Sequence, residues 1–313
     1  MMHPAREPIS FIIPAYNCAK VIGEAVQSIF DHNLQQGDEI IVVDDSSTDN
    51  TSQILDALRR THESLRVLRH RENRGTAAAG RNTAIEAARN NLVFCLDSDN
   101  VLARGSLGGL YDYLRATGAD AAAFGEIHYF QTGPEEVTHK WVYKPEVTLA
   151  DALSGIIWPG PSGNYLFTRE SWVRAGRYPE PYLENRSLDS WAFAIRQLGT
   201  GSRLVTLPGT WYFHRYGHES HYVQNWRRGN QSLAALMALT PFLDRIETED
   251  VEYLFGKEGR YTWFEQLRDH PIKVKGAPLG RDGAIQTLRL RAARRLRRSI
   301  ASMLEKASKR LRG

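Results

Sequence analysis

The chain has 313 residues, of which 42% are apolar, 24% charged and 10% aromatic, a folding composition that excludes global disorder. Its net charge of +4 is uneven: residues 281–313 hold 11 Lys/Arg against Asp282 and Glu305, a net of +9, which leaves −5 for the 280 residues before them. A mildly acidic globule with a basic tail and no base-reading motif excludes a specific nucleic-acid-binding role.

No run approaches the roughly 18 to 20 apolar residues of a membrane span, and MMHPAREPIS carries no apolar leader segment. The chain is therefore expected in the cytoplasm, with Cys18 and Cys95 as reduced packing residues. From the N-terminus, short apolar runs at Ile9–Ile13, Glu39–Val43, Leu65–Leu68 and Leu92–Leu96 are each bounded by turn or charged residues. They read as buried strands of a parallel sheet. Between them, Ala19–Phe30, Ser52–Arg60 and Thr76–Arg89 carry apolar residues near a 3.6 period and read as helices. Strand–helix alternation predicts an α/β fold with a doubly wound, mostly parallel sheet.

Ligands of such sheets bind beyond the carboxyl ends of the strands. Here those ends read Pro14-Ala15-Tyr16-Asn17, Asp44-Asp45-Ser46-Ser47-Thr48-Asp49 and Asp97-Ser98-Asp99-Asn100. Carboxylates gathered at one edge repel one another unless a positive group stands among them. Helix capping is the simpler reading for Ser47 and Asp49; for Asp97 and Asp99 a pair spaced i, i+2 exceeds what a cap needs. No G-x-G-x-x-G follows the first strand and no Gly-Lys-Ser/Thr occurs, so the two common phosphate cradles are absent. The charge of a diphosphate would then fall to a divalent metal on the Asp pair, for which hard oxygen ligands suit Mg²⁺ or Mn²⁺.

These strings resemble the family 2 glycosyltransferases of GT-A fold. ISFIIPAYN, IIVVDDSSTDNT, ENRGTAAAGRNTAI and LVFCLDSDN follow that family's order and approximate spacing, and the likeness extends over about residues 8 to 220. The resemblance implies that Pro14, Ala15 and Tyr16 line the nucleotide base, and that Asp45 accepts a uracil-type imide N–H while Asp44 supports the turn. Arg81 would lie near the base or diphosphate, with Gly75 allowing close backbone approach; the alternative for Arg81 is a helix-surface cation. Asp97, with Ser98 beside it, would reach ribose or metal, and Asp99 would ligate the metal.

In the second half, Trp158-Pro-Gly-Pro-Ser-Gly-Asn-Tyr165 resembles the family's segment leading to its acceptor side. The family places an acidic pair at the start of a following helix, its second member the catalytic base. Here that pair is Leu188-Asp189, so the first acid is missing; Asp189 is the expected base, Glu184 the reserve, and a plain N-cap the structural alternative. A base is required because the acceptor hydroxyl must lose a proton as it attacks the anomeric carbon. In-line attack opposite the diphosphate gives inversion, and a metal would take up charge on the leaving group. A histidine or arginine facing the metal or diphosphate is also implied: His218 first, His214 second, with Arg215 as a diphosphate cation. Trp191 reads as core packing or as a stacking surface for an acceptor sugar.

Three parts are expected: a catalytic domain at 1–220, a helical or irregular extension at 221–280, and a basic amphipathic helix at 281–313. In that helix Ile285, Leu288, Ala292, Leu296, Ile300, Met303, Ala307 and Leu311 form one narrow apolar stripe. It reads equally as a helix docked on the domain or on a second copy, or as one lying on an anionic membrane at the inner face. The reading is an inverting, metal-dependent transferase that moves a sugar, UDP-linked by preference, to a saccharide or lipid-linked glycan. The alternative is a non-catalytic sugar-nucleotide or glycan-binding module on the same fold. A nucleotidyltransferase is disfavoured because PAYN is not a glycine-rich phosphate loop.

Overall fold

β1 (Ile9–Ala15) and β2 (Glu39–Asp44) are buried along their whole length, as unbroken apolar runs covered on both faces must be. The computed structural model describes residues 6–31, 34–153, 163–180, 189–217, 238–255 and 272–276. β3 (Leu65–Arg69) and β4 (Leu92–Cys95) complete the first half-sheet, and α1 (Ile22–Phe30), α2 (Thr51–Thr61) and α3 (Ala77–Ala87) make the crossovers. Ile12, Ile13, Ile41 and Val42 have no solvent exposure, each worth about 1.5–3 kcal/mol of burial.

The chain continues through β5 (Val101–Leu102), α4 (Ser106–Thr117), β6 (Ala121–Phe130), β7 (His139–Val142), β8 (Glu146–Val147) and α5 (Leu149–Leu153). Then come β9 (Leu166–Thr168), α6 (Arg169–Arg174), α7 (Asp189–Gly199) and β10 (Leu204–Arg215). A 3₁₀ turn at Thr240–Arg245 and α8 (Thr248–Phe255) follow. The main sheet runs β3-β2-β1-β4-β9-β6-β10-β5, with β7 on β6 and β8 on β10. β1 pairs in parallel with β2 and β4, β2 with β3, and β6 with β10. β9 is inserted antiparallel between β4 and β6. The sheet is thus mixed rather than mostly parallel, with four parallel and five antiparallel pairings among the described residues, and β1, β2, β4, β6 and β10 all end at the same edge.

The strands and helices expected within residues 9–96 are present, with two corrections near that edge. The first helix begins at Ile22 rather than Ala19, because residues 18–21 are held in a turn: Cys18 N–H donates to Thr51 Oγ1 at 2.9 Å and Ala19 N–H to Asp49 Oδ2 at 3.1 Å. Asn50, rather than Ser47 or Asp49, stands at the N-cap position of α2, while Asp49 Oδ1 accepts the N–H of the first helical residue, Thr51, at 2.9 Å and so caps that end from one residue further out. Ser47 Oγ instead accepts from Asn17 N–H at 3.0 Å, joining the β1 and β2 loops. Among the described residues no helix is long and apolar enough to cross a membrane. Glu184, His218 and the basic segment 281–313 lie outside the described residues.

Candidate active site

The site is built where the parallel strands end. β1 delivers Pro14 and Ala15, both buried, and then Tyr16, which is 48% exposed and presents an aromatic face at the sheet edge. α3 lies close over this strand because Gly80 has no side chain: a Cβ there would stand 3.1 Å from Pro14 Cβ. That close approach brings the next residue, Arg81, to the sheet edge.

β2 delivers two acids with different tasks. Asp44 accepts the Ser47 N–H at 3.0 Å and the Ser52 hydroxyl, so it closes the turn, as the resemblance implied. Asp45 sits in a nest of backbone donors: Arg74 N–H reaches its two oxygens at 3.0 and 3.1 Å, and Gly75 N–H reaches Oδ2 at 3.1 Å. Gly75 adopts φ +70, a conformation open to glycine at little cost. His70 completes the set, its Nδ1 2.6 Å from Asp45 Oδ1.

β4 delivers Asp97, Ser98 and Asp99, each partly open to solvent. Capping is ruled out for them, since a strand, β5, follows rather than a helix. Arg81 is no surface cation: its side chain is 4% exposed, and it forms the positive centre that the clustered acids require. Nη2 donates to Asp97 Oδ1 at 2.5 Å, Nη1 donates to Asp189 Oδ2, and Nε lies 3.3 Å from Cys95 Sγ. The guanidinium also stands 5.3 Å from the centre of the Tyr178 ring. Burial alone would lower the Arg81 pKa; Asp189, Cys95 and Asp97 outweigh it and hold the group well above the ordinary arginine value. Asp189 is the first residue of α7, where a negative charge also suits the helix N-terminus.

The other side of Asp97 is fixed by Asn164, which is fully buried. Asn164 Oδ1 accepts the Asp97 N–H at 2.7 Å, and its Nδ2 donates to Asp97 Oδ2 at 3.0 Å. Asn164 arrives at this edge because β9 runs antiparallel, so its start meets the end of β4. Asp99 is pushed up to about 7, first by loss of water around it and then by the neighbouring Asp97 charge.

β10 ends in His214 and Arg215. Arg215 donates from Nε to the Asp99 carbonyl at 3.3 Å and from Nη1 to the Gln131 and Thr132 carbonyls at 3.2 Å, and it pairs with Glu24. It is therefore bound into the loops around Asp99. His214 is lowered to about 4, chiefly by desolvation and against the pull of Asp97, and its Nδ1 is enclosed with no hydrogen-bond partner. Trp191 is 4% exposed and packs in the core.

The sequence reading missed Asn164 and His70. In the sequence Asn164 stands as one residue of a loop, although an Asn following a glycine at the sheet edge is a signal for loop bonding. His70 directly follows the third strand, and the rule of strand ends pointed to it. As a metal site, Asp97 and Asp99 offer hard oxygens whose mutual repulsion a divalent cation would relieve. Among the described residues there is no group of three His, Cys, Asp or Glu able to hold a metal. The donor set thus fits Mg²⁺ or Mn²⁺ held by one or two carboxylates together with substrate phosphates, and does not form an all-protein cage.

Comparison with known proteins matches residues 10–175 to the family model described as glycosyl transferase family 2. A glycosyltransferase, GlyG of Streptococcus pneumoniae serotype 4, is 33% identical over 219 residues, 67% of this chain and 71% of that protein. The fold is similar to S. aureus TarS 1-349 in complex with UDP-GlcNAc, with TM-score 0.61 and 20% identity over 84% of this chain and 70% of that one. It is similar too to the mannosyltransferase PcManGT from Pyrobaculum calidifontis in complex with GDP-Man and Mn²⁺, with TM-score 0.55 and 20% identity over 95% of this chain and 81% of that one.

Proposed function

This chain belongs to glycosyl transferase family 2 and is a glycosyltransferase; we propose that it inverts the anomeric centre of a UDP-linked sugar as it passes that sugar to a saccharide or lipid-linked glycan hydroxyl. The observation that carries this reading is the Arg81 bridge, which ties the donor-side carboxylate Asp97 to Asp189 through one buried guanidinium.

Pro14, Ala15 and Tyr16 line the base, Tyr16 flanking it with the face it exposes. Asp45 accepts the imide N–H, and Gly75 shapes the same pocket through its backbone. Arg81 and Asn164 hold Asp97 from both sides, so the carboxylate meets the donor, with Ser98 beside it, in one fixed orientation. Asp189 takes the proton from the acceptor hydroxyl as its oxygen bonds to the anomeric carbon and the bond to the diphosphate breaks. Asp99, with Asp97, would hold a divalent cation, which when bound neutralises charge on the diphosphate. His218 and His214 were the other candidates for the cation; His218 lies outside the described residues, and His214 keeps an enclosed, neutral ring near Asp97. The TarS neighbour's UDP-GlcNAc complex supports a uridine donor. The missing acid before Asp189 was the support for a non-catalytic module, and the Arg81 bridge to Asp189 weighs against that alternative.

The test is release of UDP from a panel of UDP-hexoses and UDP-N-acetylhexosamines, with Mn²⁺ and with water standing in for the acceptor. Asp189→Asn is expected to slow release by about 10²–10⁴-fold while UDP affinity changes less than about threefold. Release retained by the variant, or none by the wild type from any donor, contradicts the proposal.

A further inference from the structure

We propose that His70 is a positioning residue for Asp45, and that the chain Thr83–His70–Asp45 sets a preference for nucleotides whose base carries an imide N–H. The inference rests on the crevice being the donor site.

His70 stands at the end of β3, its N–H donating to the Asp44 carbonyl at 3.0 Å, so the backbone fixes where the ring can reach. The ring then spans two elements. Nδ1 is 2.6 Å from Asp45 Oδ1, and Nε2 is 2.9 Å from Thr83 Oγ1 on α3. Side-chain exposure is 11% for His70 and 9% for Asp45, so neither swings freely. The direction of each bond follows from what surrounds it. Both Asp45 oxygens accept backbone N–H groups, which marks the carboxyl as the acceptor toward the ring as well. Nδ1 must then carry the proton, Nε2 is left as an acceptor, and the Thr83 hydroxyl donates to it.

The bonds leave one place that can be shared. Asp45 meets three donors through four hydrogen bonds: His70 Nδ1–H on Oδ1, the Gly75 N–H on Oδ2, and the Arg74 N–H divided between the two oxygens. These take up the roughly four lone-pair directions of a carboxylate, and an imide N–H enters by taking one branch of the divided Arg74 bond, which leaves Arg74 on the other. With His70 in place the direction of that branch is fixed. Without it, Oδ1 loses its ring donor, the carboxylate is held from the residue 74–75 side alone, and its aim relaxes. A base with an imide N–H gains from a fixed acceptor. Cytosine presents an acceptor at the same ring position and is repelled by it. His70 thus acts on discrimination between bases more than on phosphate binding.

The experiment is calorimetric titration of UDP and CDP, with Mn²⁺, into wild type, His70→Leu, His70→Asn and Thr83→Val, with melting points recorded for each. Wild type is expected to prefer UDP over CDP by about tenfold or more. His70→Leu, which removes the donor, brings that ratio to near one; Thr83→Val lowers it about two- to threefold. His70→Asn, whose amide donates near the position of Nδ1–H, keeps most of it. The ¹⁵N spectrum of the wild-type ring, which needs no variant, is expected to show the Nδ1–H tautomer. An unchanged UDP:CDP ratio in His70→Leu, or an Nε2–H tautomer in the wild type, overturns the role of His70. Wild type that binds UDP and CDP equally overturns it also. Wild type that binds neither nucleotide overturns instead the reading of the crevice as a donor site.

Discussion

Arg81→Met is the perturbation that the site should resist least. Methionine keeps the unbranched stem against Tyr178 but removes the charge, leaving Asp97 and Asp189 facing one another without a cation. Breaking a buried ion pair by removing one partner costs about 3–5 kcal/mol. Side-chain exposure of 21% at Asp97 and 11% at Asp189 lets water relieve part of that, which sets the expectation near the low end, about 3 kcal/mol. For a domain of this size that is roughly a 6–12 °C fall in Tm at neutral pH. The assay is urea and thermal unfolding of wild type, Arg81→Met, and Arg81→Met combined with Asp97→Asn or Asp189→Asn. Neutralising either acid in the Met background should restore about half of the loss, because the cost resides in the stranded carboxylates. Arg81→Lys should fall between, since one ammonium cannot reach both acids as the guanidinium fork does. A loss below about 1 kcal/mol, or one that neither Asn substitution relieves, refutes the idea that Arg81 is the cation holding this edge together.

Two pH predictions follow from the same edge, and their signs are opposite. Asp99 has a folded pKa of about 7 against an ordinary 3.8, so its contribution to stability is complete below about pH 4 and is lost as pH rises through 7. Full conversion of that difference would be about 4 kcal/mol, and the part of Asp99 open to water reduces it to about 1–2 kcal/mol. Asp99→Asn in chelator should match wild type at pH 4 and exceed it by that amount at pH 8, as urea unfolding will show. His214 has a folded pKa of about 4 against 6.5, so its contribution is complete above 6.5 and is lost as pH falls through 4. His214→Phe, placed among Tyr129 and Tyr212, should flatten the acid side of the stability profile between pH 6.5 and 4. A profile that keeps the wild-type slope contradicts the assignment.

What could be read from the amino acids, and what could not, follows from the range of each interaction. Ile9–Ala15 and Glu39–Asp44 declare themselves as strands because burial on both faces demands unbroken apolar residues, a local property. Asp45, Asp97 and Asp99 were legible because strand ends are local too, and the chemistry of clustered acids is unusual. Arg81 could be singled out by its motif, but its bond to Asp189 joins positions 108 residues apart and depends on how α7 docks. Asn164 was hidden for a related reason. β9 has three residues, too short for any period, and its antiparallel insertion beside β4 is what carries Asn164 to Asp97. The start of α1 was misplaced because Thr51 and Asp49, on another loop, hold residues 18 and 19 out of the helix.

The central claim is that the edge formed by Asp45, Asp97 and Asp99 binds a nucleotide diphosphate together with a divalent cation. Thermal shift with UDP, with and without Mn²⁺, on wild type and Asp99→Ala tests it most directly. At about 100 times its dissociation constant a ligand adds about 2.7 kcal/mol, which moves the midpoint by several degrees. The account predicts that UDP stabilises the wild type strongly with Mn²⁺ present, weakly without it, and that Asp99→Ala loses the metal-dependent part. A wild-type midpoint that UDP and Mn²⁺ leave unmoved, or a shift that Asp99→Ala keeps in full, would contradict it.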